Sequence, residues 1–221
     1  MLRYCQSAAG TMIGVRGPAQ SGTMVGMNAD QVAALTALLG PSGWMDQTEE
    51  FARALRVSAR TPGGLLLVGT PDDEPWHLTA HLDDESRLAG LPGLAPTLVR
   101  WSPPPDAPPH LAVGLARLEA AGRGETLLVV SATAAPVPLL ERVDDARSTG
   151  ATVLALDTDD PELDRLAHES LVVSAAPAQV SFDVAQHLVS AAAGQPHGRR
   201  LSPRERLARL LEKISGAAPA E

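Results

Sequence analysis

The sequence predicts an α/β protein, a doubly wound sheet of five parallel strands flanked by helices on both faces. Five short apolar runs alternate with helix-like segments through the central part of the chain. The runs are residues 65–68, 97–101, 126–130, 151–156 and 170–173. Runs that are apolar throughout are typical of parallel strands covered on both sides. Right-handed crossovers then place the connecting helices in two layers, and a flavodoxin-like strand order of 2-1-3-4-5 is expected.

Helical signals fill the segments around these runs. Apolar residues recur three and four apart, and Ser, Asp or Pro stand at several of the expected helix starts. Helices are expected at roughly 46–59, 75–90, 109–122, 136–149, 160–168 and 181–193, with an earlier one from about residue 28. The proline-rich stretch 102–109 is expected to form a stiff loop.

The domain organisation follows from changes in this pattern. Residues 1–26 have no periodicity and are expected to be a poorly ordered leader, and residues 27–194 to be a single α/β domain. Residues 195–221 are predicted to be a linker and a C-terminal amphipathic helix. That helix begins at Ser202, where a capping box is combined with proline at the first helical position. Its one apolar stripe is expected to pack on a partner or on its own domain.

Composition excludes several classes of protein. The chain of 221 residues carries a formal net charge of −8, which argues against binding nucleic acid. Cys5 is the only cysteine, so an internal disulfide is excluded and a reducing cytoplasm is favoured. No apolar run approaches the length of a spanning helix, and no secretion signal is evident. The sequence therefore predicts a cytoplasmic protein with no membrane partner, and its arginine-rich, lysine-poor composition suggests a bacterial one.

Three stretches in the second half of the chain follow one another in a recognisable order. They are LLVVSATAAP at 127–136, GATVLAL at 150–156 and PELDRLAH at 161–168. This succession of strand, hydroxyl-containing loop, strand and helix resembles the SIS (sugar isomerase) domain family. With the first strand and its turn, the resemblance spans about residues 28–193. It implies a sugar-phosphate ligand and a homodimer.

The resemblance also points to ligand-binding residues. Ser131 and Thr133 stand where the family's loop binds a sugar phosphate, and Gly69 and Thr70 follow the first strand. The carboxyl ends of the first and third strands are expected to meet at the switch point of the sheet, where such folds bind ligands. These four residues are the predicted ligand-binding set.

Two departures from the family pattern weaken this hypothesis. Ala134 replaces the family's glycine, and Pro136 has no N–H to offer a phosphate. The turn after Thr70 is acidic and would repel a dianion, with no basic residue in either loop to offset it; its carboxylates are Asp72, Asp73 and Glu74. The interpretation favoured here is that Ser131 or Thr133 simply caps a helix whose first turn contains Pro136.

The catalytic candidates are weaker still. Glu74 and His77 could form the acid/base pair that aldose–ketose isomerisation requires, as a Glu and a His often do in isomerases of the family. His77 and His81 are four residues apart, a spacing that could present two imidazoles to one metal, but two histidines on a helix are far more often ordinary surface or core residues. We therefore expect no metal and no cofactor.

These observations favour a phosphosugar-binding or interaction protein, a regulatory or structural dimer that is not catalytic. The alternative is an active phosphosugar aldose–ketose isomerase. A nucleotide-binding enzyme of the Rossmann type is disfavoured, because no Gly-x-Gly-x-x-Gly motif follows the first strand.

Overall fold

A computed structural model describes residues 43–175 and 180–195 of the chain. The strands are β1 Leu65–Val68, β2 Pro96–Val99, β3 Thr126–Ser131, β4 Thr152–Asp157 and β5 Glu169–Val172. The α-helices of these residues are α1 Trp44–Ser58, α2 Trp76–Ala89, α3 Ala116–Glu119, α4 Val137–Ser148, α5 Pro161–Leu166 and α6 Phe182–Ala193. Short 3₁₀ turns lie at Pro92–Leu94, Pro109–Leu111 and Val173–Ala175.

The five strands form one sheet in the order β2-β1-β3-β4-β5, and every neighbouring pair is parallel. The predicted fold class and strand order are therefore confirmed. Val68 lies opposite Val129, so the turn after β1 and the loop after β3 leave the same edge of the sheet side by side. The chain order reverses between these two strands, and open parallel sheets commonly bind their ligands at such a position.

The core lies on both faces of the sheet, and successive strand residues serve opposite faces. Leu65 and Leu67 of β1 pack in one cluster with residues of α1, α2 and α6. Leu66 and Val68 pack in the other, with residues of α3, α4 and α5. Since all four side chains are fully buried, this strand has no solvated face. That is the reason why the apolar runs are continuous rather than alternating.

The prediction of a continuous helix at 109–122 was wrong. Only one helical turn forms there, α3, preceded by the 3₁₀ turn. The intervening chain instead runs beside the end of β2: the Arg100 N–H donates to the Val113 carbonyl at 2.8 Å, and Arg100 bridges to Gly114 in parallel fashion. A segment whose backbone pairs with a strand cannot also close helical hydrogen bonds.

The other expected elements in the described residues are present with ends within two residues of those predicted. The expected leader at 1–26, the helix from residue 28 and the C-terminal helix from Ser202 lie outside the described residues, so the proposed domain limits stay predictions. In the described part of the chain, no helix is both long and apolar enough to cross a membrane.

Candidate functional site

A cleft of about 460 Å³ lies where the chain leaves β1 and β2. It is lined by Pro71, Asp72, Asp73, Glu74, Trp76, Arg100, Trp101 and Ser102. The volume is in the range of small-molecule sites. The parallel pairing of β1 with β2 brings the two loops together, because both strands end at the same edge of the sheet.

The turn after β1 is closed by its own backbone. The Thr70 N–H donates to the Asp73 carbonyl at 3.1 Å, and the Asp73 N–H donates back to the Thr70 carbonyl at 3.3 Å. Gly69 is required here, since a Cβ on it would lie 2.2 Å from the Asp73 oxygen and 2.8 Å from Cδ of Pro75. The Thr70 amide is therefore already used within the turn. This explains the glycine without a ligand.

Glu74 is held by the neighbouring loop. One carboxylate oxygen accepts from Nε of Arg100 at 3.0 Å, and the other accepts from the backbone N–H of Trp101 at 2.9 Å. The Glu74 side chain is 12% exposed and that of Arg100 is 18% exposed. The Trp101 indole also donates to the Gly69 carbonyl at 2.8 Å. These bonds fasten the loop after β2 to the turn after β1.

Arg100, Trp101 and Trp76 were missed as site residues by the sequence reasoning. The expected strand 97–101 ends at Val99 instead, which releases Arg100 and Trp101 into the loop. The Arg100 guanidinium lies over the Trp76 ring, 4.6 Å from its centroid, and offsets the acidity of the turn. A tryptophan and an arginine directly after an apolar run were the available signal.

The loop after β3 is occupied by internal contacts. Ser131 is buried, and its hydroxyl donates to the carbonyl of Thr133, whose side chain is exposed. The expectation that Ser131 or Thr133 caps the next helix was wrong: α4 begins at Val137 with Pro136 at its N-cap, and no side chain caps it. Proline at the N-cap sets the entry of the chain into the helix without help from a hydroxyl.

An aspartate from the next loop reaches the same place. Asp160 accepts the Ala135 N–H at 2.7 Å on one oxygen and the amides of Glu162 and Leu163 on the other. Pro136 and Pro138 supply no N–H at all. The Asp160 carboxylate thus occupies a backbone N–H that could otherwise bind a phosphate, and it adds a negative charge to the loop after β3.

A second buried carboxyl lies at the end of β4. Asp157 pairs in register with Ser131, is 1% exposed, and accepts the amides of Asp159 and Asp160 on one oxygen. Burial raises the pKa of this carboxyl, and the two amide hydrogen bonds oppose the shift only in part. Asp157 and Asp160 together shape the turn between β4 and α5.

The two catalytic candidates have different partners. Glu74 is directed to the loop after β2, whereas Nε2 of His77 lies 2.8 Å from Nε2 of His187 on α6. His81 joins the same group, with its Nε2 3.2 Å from that of His77. The three imidazoles meet edge to face on the helical layer formed by α2 and α6.

Comparison with known proteins identifies the fold. No protein-family model matches the chain, and no curated protein does. Among solved structures, a protein from Salmonella typhimurium LT2 that is named, provisionally, a sugar-binding protein is similar, with a TM-score of 0.50 and 16% identity over 83% of this chain. A protein from Silicibacter pomeroyi DSS-3, provisionally named a phosphosugar isomerase, matches with a TM-score of 0.49 and 18% identity over 83% of this chain.

At 16% identity, the likeness to the Salmonella protein shows the fold alone. The chain is an α/β protein with a five-stranded parallel sheet between helices, as the SIS resemblance implied. It spans about half the length of the two solved structures, since it covers 53% of each.

Proposed function

We propose that this chain is a sugar-binding protein of the SIS type that lacks aldose–ketose isomerase activity. The observation that carries the proposal is the state of Glu74, one of the two catalytic candidates that the sequence offers. Its two oxygens accept hydrogen bonds from Arg100 and Trp101 in a largely buried setting. A catalytic base needs an oxygen within hydrogen-bond reach of the substrate proton, and this carboxylate is committed elsewhere.

The chemistry of the cleft favours the hydroxyl-rich face of a sugar. The Trp76 side chain is 41% exposed, and the carboxylates of Asp72 and Asp73 beside it are exposed as well. Indole rings pack on the C–H faces of sugars, and carboxylates accept hydrogen bonds from hydroxyl groups. The fold that this chain shares with a protein named for sugar binding agrees with this ligand class.

A phosphate group on the sugar would find few free hydrogen-bond donors among the predicted ligand-binding residues. The predicted set of Gly69, Thr70, Ser131 and Thr133 has the Thr70 amide and the Ser131 hydroxyl engaged internally. Asp160 adds a negative charge to the β3 loop. We therefore propose that the unphosphorylated ring provides most of the affinity, and that sugar phosphates bind no more tightly than the parent sugars.

Calorimetric titration with paired ligands tests this proposal. Glucose, fructose and their 6-phosphates are compared on the full chain, on Trp76→Ala and on the matched control Leu88→Ala. Leu88 lies near the other end of the same helix and is 77% exposed. We expect sugar binding that weakens at least tenfold in Trp76→Ala and is unchanged in Leu88→Ala. Absence of binding by every sugar, or equal loss in both variants, contradicts the proposal.

The alternative function, an active isomerase, requires a base other than Glu74. The exposed carboxylates of Asp72 and Asp73 are the groups of the cleft that favour it. Turnover of either hexose phosphate that is lost in Asp72→Asn or Asp73→Asn establishes this alternative and rejects the non-catalytic proposal.

We also retain the homodimer and the cytoplasmic location as proposals. Val57 on α1 and Leu88 on α2 are 45% and 77% exposed, and they offer apolar surface for self-association. Light scattering on the full chain gives the mass directly, and a monomer across the micromolar range rejects the dimer.

A further inference from the structure

Three histidines from two helices converge at one point on the surface. Nε2 of His77 lies 2.8 Å from Nε2 of His187 and 3.2 Å from Nε2 of His81. One ligand atom from each of the three rings lies within 4.8 Å of the others. In the described residues, this is the one group of three metal-ligating side chains brought so close together.

We propose that His77, His81 and His187 form a binding site for a divalent transition metal of the zinc class. Ring nitrogens that share a tetrahedral zinc at about 2.0–2.1 Å each lie about 3.3 Å from one another. The 3.2 Å pair already has this separation, and the 2.8 Å pair needs to open by about half an ångström. Imidazole is a preferred ligand of Zn²⁺, Ni²⁺ and Cu²⁺, which selects this class over Mg²⁺ or Ca²⁺.

The scaffold holds the rings in place. His77 and His81 are one helical turn apart on α2, and His187 comes from α6, 110 residues beyond His77. Buried leucines of α2 and α6, Leu82 and Leu188 among them, belong to one core cluster. Two helices fixed by a common core present their ligands with little conformational freedom to lose on binding.

The electrostatics of the cluster suit a cation. Burial, reinforced by the neighbouring His81 and His77, lowers the pKa of His187 to about 4, and burial likewise lowers the pKa of His81. An imidazole binds a metal through a nitrogen lone pair, so a setting that disfavours protonation of the rings is compatible with metal binding. The carboxylates of Asp84, Glu85 and Asp183 act on these rings and favour positive charge at the site.

A hydrogen-bonded cluster without a metal is the competing interpretation. Nε2 of His77 has two imidazole nitrogens at hydrogen-bond distance, so the two cannot both accept its single proton in good geometry. A metal ion resolves this crowding, because each lone pair then points to the same centre. Three protein nitrogens leave a fourth position for water or a ligand on the side where His77 is exposed.

This proposal reverses the expectation of no metal drawn from the sequence. Two helical histidines alone were insufficient to predict a site, and no pattern in the sequence connects His187 with them. The metal site is independent of sugar binding. If the chain binds metal and no sugar, the metal proposal stands, and if it binds sugar and no metal, the sugar proposal stands.

Metal titration of the untagged, chelator-treated full chain tests the site. Zn²⁺ is titrated by calorimetry, and Co²⁺ is added separately because its visible spectrum reports four-coordinate geometry. We expect one Zn²⁺ per chain and the Co²⁺ spectrum of a four-coordinate site. Each of the variants His77→Ala, His81→Ala and His187→Ala should lose at least about 100-fold in affinity, since the loss of a residue that only hydrogen-bonds to a metal ligand already costs about 10–100-fold.

The matched control is His110→Ala, which removes an exposed histidine from the 3₁₀ turn Pro109–Leu111 before α3. It should bind Zn²⁺ as the unaltered chain does. Circular dichroism shows whether each variant is folded, and the exposed His77 provides a variant that leaves the core intact. No binding by the unaltered chain, equal loss in His110→Ala, or full affinity in the His77→Ala and His187→Ala variants overturns the proposal.

Discussion

Replacing Glu74 by glutamine removes the charge that pairs with Arg100 while keeping the size of the side chain. The Arg100 guanidinium, with its side chain only 18% exposed, then loses its carboxylate partner. Glutamine still has one accepting oxygen, so either Arg100 or the Trp101 amide at 2.9 Å keeps a bond and the other loses it. Hydrogen bonds to charged groups contribute about 1.5–3 kcal/mol, and we expect the free energy of unfolding to fall by that amount.

Urea unfolding at neutral pH measures the change, with Glu162→Gln as the matched control. Glu162 pairs with Arg165 on the surface, where the two side chains are 61% and 68% exposed, so its loss should cost no more than about 0.5 kcal/mol. A residue kept for catalysis is often neutral or stabilising to remove. If Glu74→Gln costs no more than Glu162→Gln, the structural role assigned to Glu74 is refuted.

Three further predictions concern the loops at the carboxyl edge of the sheet. Gly69→Ala should destabilise by about 2–4 kcal/mol in urea unfolding, because its Cβ would overlap the turn and disrupt the bonds that close it, whereas Gly122→Ala, with its nearest atom at 3.5 Å, should change stability by less than about 1 kcal/mol. Asp160→Ala should cost about 2–3 kcal/mol, more than Ser181→Ala at the N-cap of α6, since it also leaves the buried Ala135 N–H without an acceptor. Asp157→Asn should gain stability relative to the unaltered chain as pH rises from about 4 to about 7, as measured by urea unfolding at both values.

The sign of the last prediction follows from the direction of the pKa shift. The pKa of Asp157 is higher in the folded chain than in the unfolded chain. The protonated carboxyl therefore stabilises the fold, and this contribution is fully present at a pH below the pKa of the unfolded chain. That contribution is lost as pH rises through the folded pKa, while asparagine has no such dependence. A stability difference that does not change with pH contradicts the assignment. The glycine prediction fails if Gly69→Ala and Gly122→Ala lower the free energy of unfolding equally. The Asp160 prediction fails if Asp160→Ala and Ser181→Ala do so.

The fold could be predicted because its information is local. Continuous apolar runs such as 126–130 and 151–156 mark strands buried on both faces, and the helices between them follow from periodicity. The failure at 109–122 has the opposite cause. There the bond from Arg100 to Val113 joins residues in different elements, and long-range pairing overrode the helical signal.

The site was predicted in part for the same reason. Gly69 and Glu74 were recognised because they follow a clear strand, but their partners Arg100 and Trp101 were assigned to the strand itself. His187 was missed because nothing in the sequence shows which two helices pack together. Ser131 was expected either to cap the next helix or to bind a ligand. The cap was wrong and the ligand role stays a prediction; the hydroxyl donates to the carbonyl of Thr133, a contact that depends on loop geometry.

Proton exchange at the sugar carbon beside the carbonyl tests the proposed non-catalytic role most directly. Glucose 6-phosphate and fructose 6-phosphate are incubated with the full chain in deuterated buffer, with and without Zn²⁺, and deuterium at C2 of the aldose and C1 of the ketose is followed by NMR. We predict no incorporation above that of buffer alone. Incorporation catalysed by the chain and abolished by Glu74→Gln would contradict the assignment of Glu74 as a structural ion-pair partner.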